Sequence, residues 1–343
     1  MFGDKIYWAN GTGCSQAWGS PMPSIPYCKN KQGKGVAWSN SLFENNAEFS
    51  LGMALAVKQQ RERVRAQAEK LMAVAPENVK AAIEQWLGSY NDINISQKHS
   101  DELVAALEST ELQGDADALK KDILLHRDQL GKKTIWMYGG DGWAYDIGYG
   151  GLDHVIATGE DVNVFIIDTE VYSNTGGQSS KATPLGAVAQ FQAAGKKSAK
   201  KDLGKLMMSY GFCYVASVAM GADQNQLIKA IKEAEAYPGP SVIIAYTPCI
   251  NHGIKLGMNN VQEEMKRAVD SGYWTLYRYN PENKKLTLDS KEPTLDFQTF
   301  LRGEVRYSAL DITFPDNAKT MFAEAEQQAK ERYLEFKKMS EDK

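Results

Sequence analysis

Residues 134–183 read TIWMYGGDGWAYDIGYGGLDHVIATGEDVNVFIIDTEVYSNTGGQSSKAT. Two apolar runs, Thr134 to Tyr138 and Val162 to Ile167, have the length and β-branched or aromatic content of buried strands, and each stops at a polar loop. A helix-like pattern lies between them. Strand, turn, helix and strand in this order predict a right-handed βαβ unit, so both loops sit at the carboxyl ends of parallel strands. In open α/β sheets that is where ligands bind.

The first loop is Gly139-Gly140-Asp141-Gly142. Glycine on both sides of Asp141 lets backbone N–H groups approach an oxyanion such as a diphosphate, and the helix expected from Trp143 would turn its positive end toward it. The second loop runs from Asp168 through Thr169, Glu170, Val171, Tyr172, Ser173 and Asn174 to Gln178. Magnesium is a hard cation that takes one or two carboxylates together with phosphate and other oxygens. The Asp141 carboxylate, Thr169 hydroxyl and Val171 main-chain carbonyl are the donors this spacing offers. A Gly-Asp-Gly followed about 30 residues later by an oxygen-bearing loop ending in Asn is the general thiamine-diphosphate pattern.

Outward from this stretch, the alternation continues over 184–194, read as helix, 213–219, read as strand, 223–236, read as helix, and 241–247, read as strand. The fold class is therefore α/β, a parallel doubly wound sheet with a helical insertion and a C-terminal helical extension. The expected divisions are 1–59 for the start of the sheet domain, 60–132 for the insertion, 133–275 for the core and 276–343 for the extension. Ser41 and Glu44 read as a capping box for a helix running toward Val74. Four lysines between Lys196 and Lys201 read as a solvated helix end. The charged helix Asp316 to Lys338 reads as packing across another domain or subunit.

The 343 residues are 43% hydrophobic and 24% charged with a formal charge of -4, which suits an ordinary globular chain and gives no electrostatic reason to expect nucleic acid or an anionic membrane. No apolar run approaches the ~20 residues of a membrane span. The amino end lacks the pattern of a signal peptide, so the expected location is cytoplasmic. Cys14, Cys28, Cys213 and Cys249 are dispersed, which in a reducing compartment points to ligation or buried thiols rather than disulfides.

GGDGWAYDIGYGGLDHV and DTEVYSNTGGQSSKATP, with NGTGCS and GKGVAWSNSLFENNAEFSLGM near the start and YTPCINHGI around Cys249, strongly resemble the pyruvate:ferredoxin (flavodoxin) oxidoreductases, specifically their C-terminal thiamine-diphosphate-binding region. The resemblance implies oxidative decarboxylation of pyruvate to acetyl-coenzyme A, with electrons passing through iron–sulfur clusters to ferredoxin or flavodoxin. It implies that Gly140, Asp141, Gly142 and Trp143 contact diphosphate and metal, and that Thr169 and Val171 complete the Mg²⁺ shell. Thr12, Glu170 and Tyr172 belong with the cofactor-binding residues. Ser173 and Asn174 approach thiazolium and substrate, Asn174 as the catalytic residue. Cys14 and Cys249 would be two of the four thiolates of a [4Fe-4S] cluster. The other pair, a Cys-x-x-Cys preceding the position of Met1 in the family, is not in this sequence, so the chain reads as a fragment or split subunit that needs N-terminal domains or a companion chain, with a homodimer as the full enzyme. The alternatives are a cofactor-binding fragment inactive by itself and a non-redox thiamine-dependent 2-oxo acid decarboxylase.

Overall fold

Strands whose residues are buried without alternation are covered on both faces, as in a parallel α/β sheet. Thr134–Gly140 (β3), Tyr214–Val218 (β7) and Ser241–Tyr246 (β8) have that character. The computed structural model describes residues 1–13, 15, 28–42 and 44–341, and these fall into two compact units.

One unit is built mainly from Trp136–Lys343 and holds most of the sheet. With Ile6–Gly11 (β1), Ala37–Ser41 (β2), Asn163–Asp168 (β4), Tyr277–Asn280 (β9) and Lys285–Leu288 (β10), the strand order is β10-β9-β7-β8-β4-β3-β1-β2. The strands β3, β4, β8 and β7 are parallel, while β9 and β10 add antiparallel to the edge at β7. The parallel register sets Gly140 beside Ile167 and Ile167 beside Ala245, so the loops after β3, β4 and β8 leave the sheet at one level. Two short strands, Val171–Tyr172 (β5) and Gln178–Ser179 (β6), form a ribbon within the second loop. The expected α/β sheet is present.

The chain after β3 makes a π-helical turn, Gly142–Ile147, before the helix Tyr149–Ala157. The turn is closed by the Gly148 N–H on the Trp143 carbonyl at 2.9 Å. It wraps the Trp143 indole, which is fully buried in space that only glycine leaves open. A Cβ at Gly139 would meet the indole at 2.7 Å, and one at Gly148 would meet it at 2.2 Å.

Four local expectations are corrected. The segment 184–194 is not a helix, because Gly186, Phe191 and Gly195 take left-handed conformations and the backbone bonds outward, Val188 N–H to the Arg306 carbonyl at 2.8 Å and Gly186 N–H to the Lys196 carbonyl at 2.8 Å. The lysines that follow are not a solvated helix end. Lys196 donates to the Ser180 and Thr183 carbonyls, both at 2.7 Å, and Lys200 pairs with buried carboxylates. Ser41 ends β2 and caps nothing, since the next helix begins at Asn46 and the Ser41 hydroxyl instead donates to the Asn46 side chain at 2.9 Å. The helix Pro315–Glu341 packs on its own unit, stacking Phe336 on Tyr277 with centroids 4.4 Å apart and setting Phe322 edge-on to Tyr307 at 5.8 Å.

The other unit is mainly Ser50–Ile135 and is helical. The helix Asn46–Met72 is followed by Glu77–Gly88, Ser96–Ser109 and Gly114–Leu125. Val64, Ala68 and Leu71 recur at helical spacing and pack with Val79, Ile83, Trp86, Leu103, Leu107 and Ile123 in an apolar core. The Trp86 indole donates to the Leu130 carbonyl at 3.0 Å, and Arg61, also buried, is satisfied by the Tyr90 carbonyl at 2.7 Å and the Gln129 carbonyl at 3.2 Å. None of the described helices is long and apolar enough to cross a membrane.

Candidate functional site

Because β3 and β4 are neighbours in register, the residues just past their ends meet. Asp141 is buried at 1% exposure and Thr169 at 7%. The Thr169 hydroxyl lies 2.8 Å from Asp141 Oδ1 and 3.0 Å from the Val171 carbonyl oxygen. It has one proton for two acceptors, so three oxygens stand together with more lone pairs than hydrogens. The other carboxylate oxygen of Asp141 accepts from the Ser180 hydroxyl at 2.6 Å. Asp141, Thr169 and Val171 are thus brought together, and Ser180 is added to them.

Charges are buried alongside. Asp168 accepts from the Tyr145 hydroxyl at 2.7 Å and pairs with Lys200 at 2.7 Å. Lys200 reaches Glu170 at 3.0 Å, and Arg306 bridges Glu170 at 2.7 Å and Glu304 at 2.6 Å. Asp141 differs from these carboxylates, because its direct partners among the described residues are hydroxyls only. Burial, and after it the nearby Asp168 charge, push the Asp141 carboxyl up to about 7 against the pull of its two hydroxyl bonds. Burial also raises Asp168, which Lys200 opposes. Burial would raise Glu170 too, but Lys200 and Arg306 outweigh it and hold that carboxylate well below its ordinary range.

The three oxygens open into a cavity of about 700 Å³, within the range of small-molecule sites. Gly140, Gly142, Tyr172, Ser173, Asn174 and Thr12 line it, and so does Cys249. Its far wall is apolar, with Val218, Met220, Leu227 and Met265. The loop after β4 can follow the cavity because Gly176 and Gly177 take φ of 114° and 83°, and Gly177 has no room for a side chain against Asn251.

Two of the expected cofactor contacts point elsewhere. The Trp143 ring is packed between Gly139 and Gly148, under the turn and not on the cavity wall. The Glu170 carboxylate is occupied by Arg306, Lys200 and Tyr273 and does not line the cavity. Cys14 lies outside the described residues. Cys249 is half-buried, its thiol raised by burial, and its N–H donates to His252 Nδ1 at 3.1 Å, which orders that loop. His252 is buried and burial lowers it to about 4, so it is neutral beside Glu170. Cys213 is a core thiol and Cys28 is exposed. Among the described residues no three His, Cys, Asp or Glu side chains converge as a metal cluster, and the set around Asp141 is of another kind, one carboxylate with a hydroxyl and a carbonyl.

Reading the sequence alone missed Ser180, Lys200 and Arg306. Lysines in a run of four carry no sign of which one is buried, and Arg306 is 136 positions from Glu170. Ser180 lies within the quoted stretch, but its role shows only when the ribbon β5–β6 folds it back.

Residues 124–245 match the family model for the thiamine pyrophosphate enzyme, C-terminal TPP binding domain. The chain is 54% identical over 349 aligned residues to a pyruvate:ferredoxin oxidoreductase of Moorella thermoacetica, covering 99% of this chain and 30% of that protein. It is 50% identical to a pyruvate-flavodoxin oxidoreductase of Enterobacter agglomerans, again over 99% of this chain and 30% of the relative. A pyruvate dehydrogenase [NADP(+)] of Cryptosporidium parvum is 41% identical over 100% of this chain and 20% of its own length. The chain thus spans under a third of the curated relatives it matches.

Proposed function

This chain is homologous over nearly its whole length to the pyruvate:ferredoxin and pyruvate-flavodoxin oxidoreductases, and from that premise we propose that it binds thiamine diphosphate through Mg²⁺ and serves as the cofactor-binding part of an oxidative pyruvate decarboxylase. The observation that carries the metal assignment is the spacing around the Thr169 hydroxyl, 2.8 Å to Asp141 and 3.0 Å to Val171. A carboxylate with a hydroxyl and a carbonyl oxygen is the hard, all-oxygen donor set that would suit Mg²⁺.

In this reading Asp141, Thr169 and Val171 would hold the ion and, through it, the diphosphate. Gly140 and Gly142 keep side chains out of the way of the phosphates. Bound thiamine diphosphate supplies an electron sink for decarboxylating a 2-oxo acid. Asp141, whose direct partners among the described residues are hydroxyls, contributes the charge that a cation would neutralise. Ser173 and Asn174 orient the substrate from the cavity wall, and the apolar wall from Val218 to Met265 excludes water.

The redox half of the reaction draws on Cys249 and Cys14, which are two of the four thiolates a cubane cluster needs. The remaining ligands, and the rest of a cytoplasmic, homodimeric enzyme that uses coenzyme A, come from segments beyond these residues. Relatives named for ferredoxin, flavodoxin and NADP(+) all align with this region.

Titration calorimetry with thiamine diphosphate tests the reading. Binding is expected in Mg²⁺ and lost in excess chelator. Equal affinity with and without a divalent ion would reject the metal, and no binding in either would reject the cofactor. Anaerobic assay of the chain with pyruvate and a redox dye is expected to show no turnover.

A further inference from the structure

Successive residues of a strand face opposite sides of a sheet. Val218 and Ala245 line the cavity at Asp141, whereas their neighbours Ser217 and Ile244 line a second cavity of about 140 Å³, which therefore lies behind the sheet. Its roof is the C-terminal helix, whose Ala325, Gln328, Ala329, Arg332 and Phe336 recur at the spacing of one helix face. A face turned onto a sheet is ordinarily apolar, and Gln328 and Arg332 depart from that. Lys201, Asp202, Gln328 and Arg332 are half-buried, so the cavity meets solvent between the 199–204 segment and this helix.

The polar groups on the lining are unevenly matched. Arg332 donates from Nη2 to the Tyr273 carbonyl at 2.7 Å, and among the described residues no carboxylate pairs with it. The two acids of the lining are committed elsewhere. Glu170 is held by Arg306, Lys200 and Tyr273, and Asp202 caps the helix Leu203–Met208 by accepting from the Lys205 N–H at 3.0 Å. Trp274, 8% exposed, and Thr275, 4% exposed, also line the cavity, and their buried Nε1 and Oγ1 atoms have no hydrogen-bond partner among the described residues. Buried polar groups in folded proteins nearly always have a partner. The remaining wall is apolar, from Leu203, Phe297, Leu301 and Phe336.

We propose that this cavity is a second small-molecule site that takes a short-chain carboxylate, its charged end held by Arg332 and its carbon chain laid against the apolar wall. The N–H of Trp274 and the O–H of Thr275 add donors that an anion can use. A cavity of about 150 Å³ takes a molecule of the size of benzene, so the ligand has about six non-hydrogen atoms. Inorganic phosphate would meet the arginine but leave the apolar wall bare, and a hydrocarbon would leave the arginine unmatched. The site stands apart from the metal-binding reading, since none of Asp141, Thr169 and Val171 lines it.

Titrating the full chain with propionate at constant ionic strength, free of thiamine diphosphate, tests the site through tryptophan emission, because Trp274 is the tryptophan that lines the cavity among the described residues. A saturable change is expected, and Trp274→Phe should abolish it. Propionamide has the same shape without the charge and should bind about tenfold more weakly, as should propionate to Arg332→Gln. The absence of a saturable change overturns the proposal, and so does a response that survives in Trp274→Phe or an equal affinity for propionamide. Displacement of propionate by thiamine diphosphate with Mg²⁺ would put the ligand in the other cavity and overturn it too. If Arg332→Gln does not fold, the comparison of propionate with propionamide on the wild type decides. Failure of thiamine diphosphate to bind would remove the cofactor reading and leave this site untouched.

Discussion

The two units of this chain bury polar groups in opposite ways. In the helical unit Arg61 is covered, yet it lies against backbone carbonyls and over the Tyr90 ring at 4.1 Å, amid an apolar core. Below the strand ends of the sheet unit, Asp141, Asp168, Glu170, Glu304 and Arg306 are all buried and Lys200 is nearly so. Apolar packing is the cheaper way to fill such a volume, because buried ion pairs recover their desolvation cost only with good geometry. The contrast locates the place where stability gives way to another requirement. Beside that network Asp141, whose direct partners among the described residues are the Thr169 and Ser180 hydroxyls, has no cation paired to it.

The comparison can be broken most forcefully from the helical side. Trp86→Ala removes a fully buried ring and leaves a cavity, and it should destabilise the chain by about 3–5 kcal/mol in urea titration without altering cofactor affinity. A coupled loss of affinity would mean the contrast between the units is wrong. Lys200→Met takes one cation from between two buried carboxylates and should cost about 3 kcal/mol. Here the cofactor affinity is expected to fall as well, and an unaffected affinity would detach the network from the site.

A change of the opposite sign sharpens the same point. The folded-state pKa of Asp141 is raised to about 7 from an ordinary 3.8, so metal-free folded protein binds more protons than unfolded protein in that interval. Stability from this group is therefore full below about pH 4 and declines as pH rises toward about 7. Asp141→Asn lacks that decline. It should be the more stable protein at pH 8 without metal and should converge with the wild type near pH 4, by chemical denaturation at each pH. Parallel profiles would show that Asp141 is not held at a cost. The smallest effect belongs to the surface pair of Arg63 and Asp122, 2.7 Å apart with the arginine half exposed. Arg63→Ala should change stability by no more than about 0.5 kcal/mol.

What could be read from the chain alone follows this division. The parallel strands are continuous apolar runs, and the convergence of Asp141, Thr169 and Val171 follows from their following neighbouring strands in order. Local patterns misled where distant partners intervened. The segment 184–194 has helical apolar spacing, but Gly186 and Gly195 take left-handed turns and its amides bond to Lys196 and Arg306. The lysine run looked solvated because its carboxylate partners stand about 30 positions earlier. The C-terminal helix read as packing across another domain or subunit because Tyr277 precedes Phe336 by most of the extension. Trp143 and Glu170 stood inside the motif, and only the packing of Gly139 and Gly148 and the reach of Arg306 showed that both side chains face away from the cavity.

Replacing Mg²⁺ by Mn²⁺ in crystals grown with thiamine diphosphate and locating the metal by anomalous scattering addresses the central assignment most directly. The account predicts one peak bonded to Asp141 Oδ1, Thr169 Oγ1 and the Val171 carbonyl at about 2.2 Å, with the diphosphate completing the shell. A peak elsewhere, with Thr169 still hydrogen-bonded to Asp141, would contradict it.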